Sequence, residues 1–135
     1  MKHLIRESSC KMANRQRAVD LSNQPTRKAS LIQETNVATS VKGSRTPNSG
    51  ATMFGGKGDV LTEDWLFECK TQMKDKESFS VKQDWFRKNK EEQLYMRKNH
   101  SAVVFNFGPN SKNYYIIDEN TFLQMQEALK KEENK

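Results

Sequence analysis

The side chains best suited to chemistry in this sequence are two carboxylates and an ammonium group that lie close together along the chain. Asp59 is followed nine positions later by Glu68, and Lys70 comes two positions after that. Alternate residues of a β-strand share a face, so Glu68 and Lys70 are expected to point the same way. If Asp59 begins the preceding strand, a hairpin brings the three groups to one point.

Such a trio suits one kind of reaction. Two carboxylates, together with water and a phosphate oxygen, form the oxygen-rich environment that Mg²⁺ prefers. A lysine beside them can orient or deprotonate an attacking water and offset negative charge on the reacting phosphorus. The residue types therefore favour metal-dependent hydrolysis of a phosphodiester, with Asp59 and Glu68 as metal ligands and Lys70 as the catalytic cation.

Three helices are predicted around these residues, over 31–42, from 81 to about 98, and from 121 to about 131. Ser30 with Gln33, and Ser80 with Gln83, have the spacing of capping boxes at the starts of the first two. Gly43 is predicted to end the first helix in a left-handed conformation.

Four short strands are predicted between the helices, at residues 60–61, 65–71, 102–107 and 114–117. The order is therefore α-β-β-α-β-β-α, which predicts an α/β fold with a sheet flanked by helices. On the last helix, the three- and four-residue spacing of Phe122, Met125 and Leu129 predicts a face turned towards the core.

Glu34 is an unexpected residue on the first predicted helix, because it shares a stripe with Leu31, Ala38 and Val41. A carboxylate among apolar residues lies at the edge of the stripe and reaches solvent, or it has a role in the site. The residues of this helix leave both interpretations open.

Residues 43–58 are rich in Gly, Ser, Pro and Asn and predict a loop of about fifteen residues. Loops of this length in small domains are often functional. Arg45, Lys57 and the glycines would let the loop approach phosphate groups closely. The alternative is a simple linker.

Composition narrows the class of protein. The chain has 135 residues and a mass of 15.7 kDa, which is enough for one domain. No apolar run approaches the roughly 20 residues that cross a bilayer, which argues against a membrane or secreted protein. Cys10 and Cys69, with His3 and His100, are too few for a disulfide framework or a Cys/His metal site. We therefore expect a cytoplasmic location.

Positive charge is concentrated in the first third of the chain. Residues 1–45 carry nine Lys or Arg and three Asp or Glu, whereas residues 46–135 carry fourteen of each. A basic segment attracts nucleic acid backbones through counterion release. We predict a basic and flexible arm over 1–28 and a domain over 29–135; a disordered leader without a binding role is the alternative.

Taken together, Asp59, the strand motif Glu68-x-Lys70 and the loop SGATMFGGKGD resemble the PD-(D/E)xK nuclease superfamily. Within it, the order of the glycine-rich loop, GDV, FECKT and SFS before a long helix looks like phage and archaeal Holliday junction resolvases, over about Ser30 to Leu129. The resemblance implies a restriction-endonuclease-like core with a central mixed sheet of about four strands. It also implies a Mg²⁺ cofactor, for which Mn²⁺ substitutes, and assigns Glu34 as the helix carboxylate that completes the metal site.

By the same resemblance, the chain is expected to be a phage-type enzyme of DNA recombination that cuts four-way junctions as a homodimer, in the host cytoplasm if phage-encoded. The predicted DNA-binding residues are Arg27, Lys28, Lys42, Arg45, Lys57, Ser80 and Lys82. Ser80 has the alternative role of a helix cap. The charges of the second helix, from Lys82 through Glu91 and Glu92, are also typical of a mixed-charge face in solvent.

Two other functions remain open on sequence. The same fold is compatible with a nickase, a flap or single-strand nuclease, or a restriction-like endonuclease, because fold does not determine substrate. A basic DNA-binding or packaging accessory protein, in which the acidic residues only form salt bridges, is the alternative outside enzymes.

Overall fold

The computed structural model describes residues 25–46 and 58–135. In this part of the chain there are three helices, α1 (Pro25–Val41), α2 (Gln83–Tyr95) and α3 (Glu119–Glu133), and five strands, β1 (Ser44–Arg45), β2 (Val60–Leu61), β3 (Trp65–Lys70), β4 (His100–Phe105) and β5 (Tyr114–Ile116). None of these helices is long and apolar enough to cross a bilayer. Residues 1–24 of the predicted arm 1–28, together with Lys57, lie outside the described residues, whereas residues 25–28 lie in α1.

The strands form one mixed sheet in the order β1-β2-β3-β4-β5. β3 and β4 are parallel, from Trp65 opposite His100 to Lys70 opposite Phe105, and the other neighbours are antiparallel. A parallel pair needs a long crossover, which α2 provides. The predicted α/β class and mixed sheet are confirmed.

The sheet has five strands where the sequence predicted about four. The additional strand, β1, pairs Ser44 with Leu61 and Arg45 with Val60, inside the segment that was predicted to be a loop. Thr46 supports this pairing, since its hydroxyl donates to the Gly58 carbonyl at 2.6 Å. A two-residue strand with both side chains exposed has no hydrophobic alternation that a sequence pattern could detect.

The two faces of β3 are covered by different helices. Val37 of α1 packs with Phe67, Val60 and the β4 residues Ala102 and Val104, and these form the main apolar core. α2 lies against β3 and β4, with its Asn89 amide donating to the Ala102 carbonyl at 3.2 Å. Glu68 and Lys70 are therefore placed between the sheet and α2.

The ends of the first helix differ from the prediction. α1 begins at Pro25, and Ser30 lies within it, so the predicted Ser30 cap is wrong. Proline is favoured at a helix start because its fixed φ suits the helix and its missing N–H has no partner there anyway. The residue with positive φ after the helix is Lys42, not Gly43.

The second and third helices also begin elsewhere. Lys82 occupies the N-cap of α2 in an extended conformation without a side-chain cap, so the predicted cap at Ser80 is wrong. α3 begins at Glu119, because the Asp118 side chain accepts a hydrogen bond from the Thr121 backbone N–H at 2.8 Å.

The predicted inward face of α3 is exposed in the structure. Phe122, Met125 and Leu129 are 55%, 45% and 65% exposed. α3 packs closely against none of the other described helices and strands. The hydrophobic spacing correctly indicated an amphipathic helix, but not which surface covers its apolar face.

Leu66, a fully buried residue of β3, provides a direct test of the packing under α2. Leu66→Ala is expected to lower the free energy of unfolding by about 2–5 kcal/mol, because it leaves a cavity in the interior. Leu94→Ala is the matched control, since Leu94 is 68% exposed and its truncation should change stability by less than about 0.5 kcal/mol. Urea denaturation measures both, and equal losses would contradict this packing.

Candidate active site

A cavity of about 450 Å³ lies between the β2–β3 hairpin and α2, and it contains the three chemically interesting groups found in the sequence. The residues that line it are Gly58, Asp59, Glu68, Lys70, Lys82, Asp84, Trp85, Lys88, Asn89 and Glu92. The prediction that Asp59, Glu68 and Lys70 meet at one point is thus realised in the structure.

Strand β3 holds Glu68 and Lys70 side by side. The Lys70 ammonium lies 3.1 Å from a Glu68 carboxylate oxygen, and both side chains are about three-quarters buried, at 28% and 23% exposed for Lys70 and Glu68. The same ammonium lies 4.9 Å from the centroid of the Trp85 ring on α2, within cation–π range. Lys70 is therefore held by a carboxylate from its own strand and an aromatic ring from α2.

Asp59 is positioned by backbone hydrogen bonds across the hairpin. Its N–H donates to the Phe67 carbonyl at 2.9 Å, and its carboxylate accepts from the Cys69 N–H at 2.7 Å. These bonds fix the Asp59 carboxylate next to the middle of β3, where Glu68 lies. The hairpin thereby brings Asp59 and Glu68, nine residues apart in the sequence, close together in space.

The turn before Asp59 requires a glycine. Gly58 has a φ of +67°, and a Cβ added there would overlap the Leu66 side chain. Only glycine combines this left-handed conformation with so close an approach to a core side chain. The Gly-Asp pair noted in the sequence therefore has a structural basis.

Electrostatics at the site disfavour an additional negative charge. The pKa of Glu68 is raised to about 7, chiefly by burial and then by the nearby Asp59, while Lys70 lowers it. Burial, with Asp59 and Glu34 nearby, also raises the pKa of the Cys69 thiol. A thiol that stays protonated and packs against the core is not a nucleophile.

Glu92 of α2 is a member of the site that sequence reasoning missed. It lines the cavity, its carboxylate accepts a hydrogen bond from the Gly58 backbone N–H, and its pKa is raised mainly by burial. Its Oε2 atom is buried and has no hydrogen-bond partner within the described residues. The sequence signal was its helical spacing from Trp85 and Asn89, which places all three on the side facing the sheet.

Glu34 has a different environment. It lies on α1, is only 9% exposed, and is close enough to Cys69 to raise the pKa of that thiol. The solvent-edge interpretation of Glu34 is therefore wrong. Glu34 is not among the residues that line the cavity, and its predicted role in a metal site stays a prediction.

Most of the predicted DNA-binding residues lie on the surface of the described chain. Lys82 lines the cavity that contains Asp59 and Glu68, and Ser80 lines an adjoining cavity of about 380 Å³ that shares Lys70, Lys82 and Trp85 with it. The other four described residues of this set are exposed. Arg27 and Lys28 lie on α1, Lys42 lies just after it, and Arg45 lies on β1.

The donor groups present are compatible with one kind of metal site. Across residues 25–46 and 58–135, no group of three or more His, Cys, Asp or Glu side chains is arranged to hold a metal ion. Asp59 and Glu68 nevertheless lie close enough for Asp59 to raise the pKa of Glu68. Mg²⁺ is commonly held by one or two carboxylates, with water and substrate oxygens completing its shell, so this pair fits it.

No protein-family model matches this chain, and neither a curated protein nor a solved structure does. A function for this chain therefore has to be inferred from its residues and their geometry.

The raised pKa of Glu68 predicts a pH-dependent stability. The folded state binds this proton more tightly than the unfolded chain, so stability is lost as the pH rises from about 4.5 to about 7. In EDTA, Glu68→Gln should therefore gain stability over wild type across that range, on the order of 3 kcal/mol by pH 8. Urea denaturation measures the gain, with the exposed Glu91→Gln as control. A difference that does not change with pH would contradict this assignment.

The Glu92–Gly58 hydrogen bond predicts a local change in dynamics. Glu92→Ala should accelerate hydrogen exchange of the Gly58 amide by about tenfold or more, because that amide loses its acceptor. Glu92→Gln retains an acceptor oxygen and should exchange almost as slowly as wild type, as should Glu91→Ala. Exchange measured by NMR distinguishes these variants, and equal rates in all of them would show that the hydrogen bond does not restrain the turn.

Proposed function

We propose that this chain is a Mg²⁺-dependent endodeoxyribonuclease with a PD-(D/E)xK site. The observation that carries the proposal is the meeting of Asp59, Glu68 and Lys70 in one cavity beside basic residues. We further propose that it is a Holliday junction resolvase, acting in the cytoplasm as a homodimer, since this is the activity that the sequence resemblance implies.

Asp59 and Glu68 are the groups that would hold the metal, either Mg²⁺ or Mn²⁺, with Glu34 as an additional candidate. Bound there, the ion would polarise the phosphodiester and lower the pKa of the nucleophilic water. The two carboxylates disfavour each other's charge, which contributes to the pKa of about 7 at Glu68. A divalent cation relieves this repulsion, so the site has an electrostatic reason to bind one.

Lys70 is the residue that would act on the reacting groups. Its ammonium is held in the cavity by Glu68 and Trp85. From that position it can orient the attacking water and neutralise charge that develops on the phosphate oxygens. The reaction proposed is direct attack of water on phosphorus, without a covalent intermediate on the protein.

Basic groups around the cavity support a nucleic acid substrate. Lys82 and Lys88 line it, and Lys76 lines the adjoining cavity with Ser80. Basic side chains that contact DNA recognise the phosphate backbone and its path more than the base sequence. A four-way junction is two-fold symmetric and needs two cuts, which suits a dimer with one site in each subunit.

A second candidate is a DNA-binding accessory protein without catalysis. The close ion pair between Glu68 and Lys70 favours it, because a salt bridge can account for two of the three groups without any reaction. This candidate predicts that DNA is bound but not cut, and that Mg²⁺ does not stabilise the fold.

The decisive experiment uses a labelled four-way junction and a linear duplex of the same sequence, with Mg²⁺ or with EDTA. Wild type is expected to nick the junction symmetrically with Mg²⁺ only. Glu68→Ala and Asp59→Ala should lower the rate by at least about 100-fold while DNA binding is largely retained. Glu91→Ala, an exposed carboxylate on α2, is the matched control and should cut normally.

Each other outcome has a definite meaning. Cutting of both substrates would retain the nuclease and reject the resolvase, and nicked, flap and fork substrates would then identify the preferred structure. Normal cutting by Glu68→Ala would reject the site. Binding without any metal-dependent product would favour the accessory protein.

A further inference from the structure

Five aromatic side chains form a continuous row from the candidate active site to the edge strand β5. Neighbouring rings in this row have centroids 5.0–5.8 Å apart, which is within the range of aromatic contact. The members of the aromatic row are Trp85, Phe79, Phe105, Phe107 and Tyr114. At its first end, the Lys70 ammonium lies over the Trp85 ring. At the other end, the Lys112 ammonium lies 5.6 Å from the centroid of the Tyr114 ring.

The strand register places the row on the same face of the sheet as the candidate site. Lys70 of β3 lies opposite Phe105 of β4, which lies opposite Tyr114 of β5. Side chains at opposite positions of neighbouring strands point to the same face, so these three form a line across the sheet. Tyr114 is 42% exposed, and the other four rings are half-buried. The row therefore keeps part of its aromatic surface in contact with solvent.

The segment between β3 and α2, residues 71–82, is tied down beside the row. The Thr71 hydroxyl donates a hydrogen bond to the Asn106 side-chain oxygen at 2.8 Å. Further along, the Lys76 backbone N–H donates to the Phe107 carbonyl at 2.7 Å. These bonds link the segment to the residues that follow β4, so its side chains extend from a backbone that is held next to the rings.

Positive charge accompanies the aromatic row. Phe79 and Trp85 line the cavity of about 380 Å³ together with three lysines, and none of its described lining residues is acidic. These lysines are Lys70, Lys76 and Lys82. Residues 70–82 carry four lysines and two acidic residues, and residues 106–114 carry one lysine and no acidic residue. Aromatic rings and cations therefore lie side by side on one surface.

We propose that the aromatic row binds an unpaired DNA strand, with bases stacked on its exposed rings and phosphates beside the flanking lysines. Surfaces that bind single strands combine these two features, a basic path for the backbone and aromatic rings for the bases. In a duplex the bases are already stacked and paired, so the rings have nothing to bind. The row should therefore distinguish unpaired from paired DNA.

Two other occupants match this surface less well. The chain has a net charge of +6, so a second copy would bring more positive charge to a basic surface. An acidic peptide matches the charge, but acidic side chains offer no planar ring to stack. Each nucleotide of an unpaired strand supplies both one planar base and one negative phosphate, which suits adjacent rings and lysines.

The position of the row gives it a role in substrate selection. Its first ring, Trp85, lines the cavity that also contains Asp59, Glu68 and Lys70. A strand bound along the row would continue into that cavity, so the selected substrate is DNA with unpaired nucleotides next to the cleaved bond. This role in cleavage rests on the proposed function, whereas binding of the strand does not.

Fluorescence anisotropy in EDTA tests the outer end of the row. The probes are a labelled strand of about 12 thymidines, a length within the range of single-strand sites, and the duplex of the same length. Tyr114→Ala should weaken binding of the single strand by about fivefold or more and leave duplex binding within about twofold of wild type. Tyr114→Phe retains the ring and should bind as wild type does.

The neighbouring tyrosine provides the matched control. Tyr115 is 40% exposed, but it lies on the opposite face of β5, where its ring contacts Phe67. Tyr115→Ala should therefore leave binding of the single strand within about twofold of wild type.

Four results of this experiment would overturn the proposal. The first is equal binding of the single strand by Tyr114→Ala and wild type. The second is an equal loss of affinity for single strand and duplex in Tyr114→Ala. The third is a wild-type chain that does not bind the single strand at about 100 μM, the weak end of non-specific binding. The fourth is tighter binding of a uridine RNA strand of the same length, which would reject DNA as the ligand.

Salt dependence tests the path of the phosphates. Lys112→Gln should weaken binding of the single strand about two- to fivefold and reduce the slope of log K against log salt by about 0.7, which corresponds to one phosphate contact. Lys130→Gln, an exposed lysine of α3, is the control and should change neither. An unchanged slope in Lys112→Gln would contradict this path for the backbone.

Photocrosslinking identifies the residues that the bases touch. A single strand that contains 5-iododeoxyuridine is irradiated with the full wild-type chain, and the joined peptides are identified by mass spectrometry. We expect crosslinks at Phe79 or Tyr114, because the reagent joins a base to an aromatic ring in contact with it. Crosslinks confined to the basic segment 1–24 or to α1 would overturn the proposal and identify that region as the single-strand site.

These measurements need no cleavage, so they separate this proposal from the proposed function. A protein that binds the single strand through Tyr114 but cuts no DNA would reject the nuclease and retain the binding surface. A metal-dependent nuclease whose binding of the single strand is unaffected by Tyr114→Ala would do the reverse.

Discussion

The hydrogen bond from the Cys69 backbone N–H to the Asp59 carboxylate is the contact on which the site depends. It links the side chain of Asp59, which directly precedes β2, to the middle of β3, while the Asp59 N–H donates to the Phe67 carbonyl. Gly58 makes this geometry possible, because no other residue can adopt its backbone conformation so close to Leu66. Without this hairpin, Asp59 and Glu68 would simply be two acidic residues of a basic protein.

This geometry has an electrostatic cost. Asp59 and Glu68 lie together in a partly buried cavity, and Glu92 adds a third carboxylate from α2, so the pKa values of Glu68 and Glu92 both rise. Lys70 offsets part of the repulsion. Clusters that oppose their own ionisation are typical of functional sites, since a bound cation or a reaction step can relieve the repulsion.

The two faces of the sheet carry different groups, since one holds the apolar core and the other holds the candidate site. The face towards α1 carries the apolar core around Val37 and Phe67. The face towards α2 has apolar packing at Leu66 but gives way to polar groups at the end of β3, where the cavity opens. Because neighbouring residues of β3 alternate between these faces, a single six-residue strand contributes to both. α3 takes part in neither, because it packs closely against none of the other described helices and strands.

Local rules accounted for much of the site. Strand alternation placed Glu68 and Lys70 on one face, and the short connection to Asp59 predicted the hairpin, because both features depend only on nearby residues. The α/β class followed from the order of periodic segments, whereas the mixed sheet was an expectation drawn from the sequence resemblance. By contrast, the proximity of Glu92 to Gly58, the two-residue strand β1 and the exposure of Phe122 were decided by the tertiary structure. Each depends on which distant surfaces come together, and hydrophobic spacing identifies a face without specifying what that face will meet.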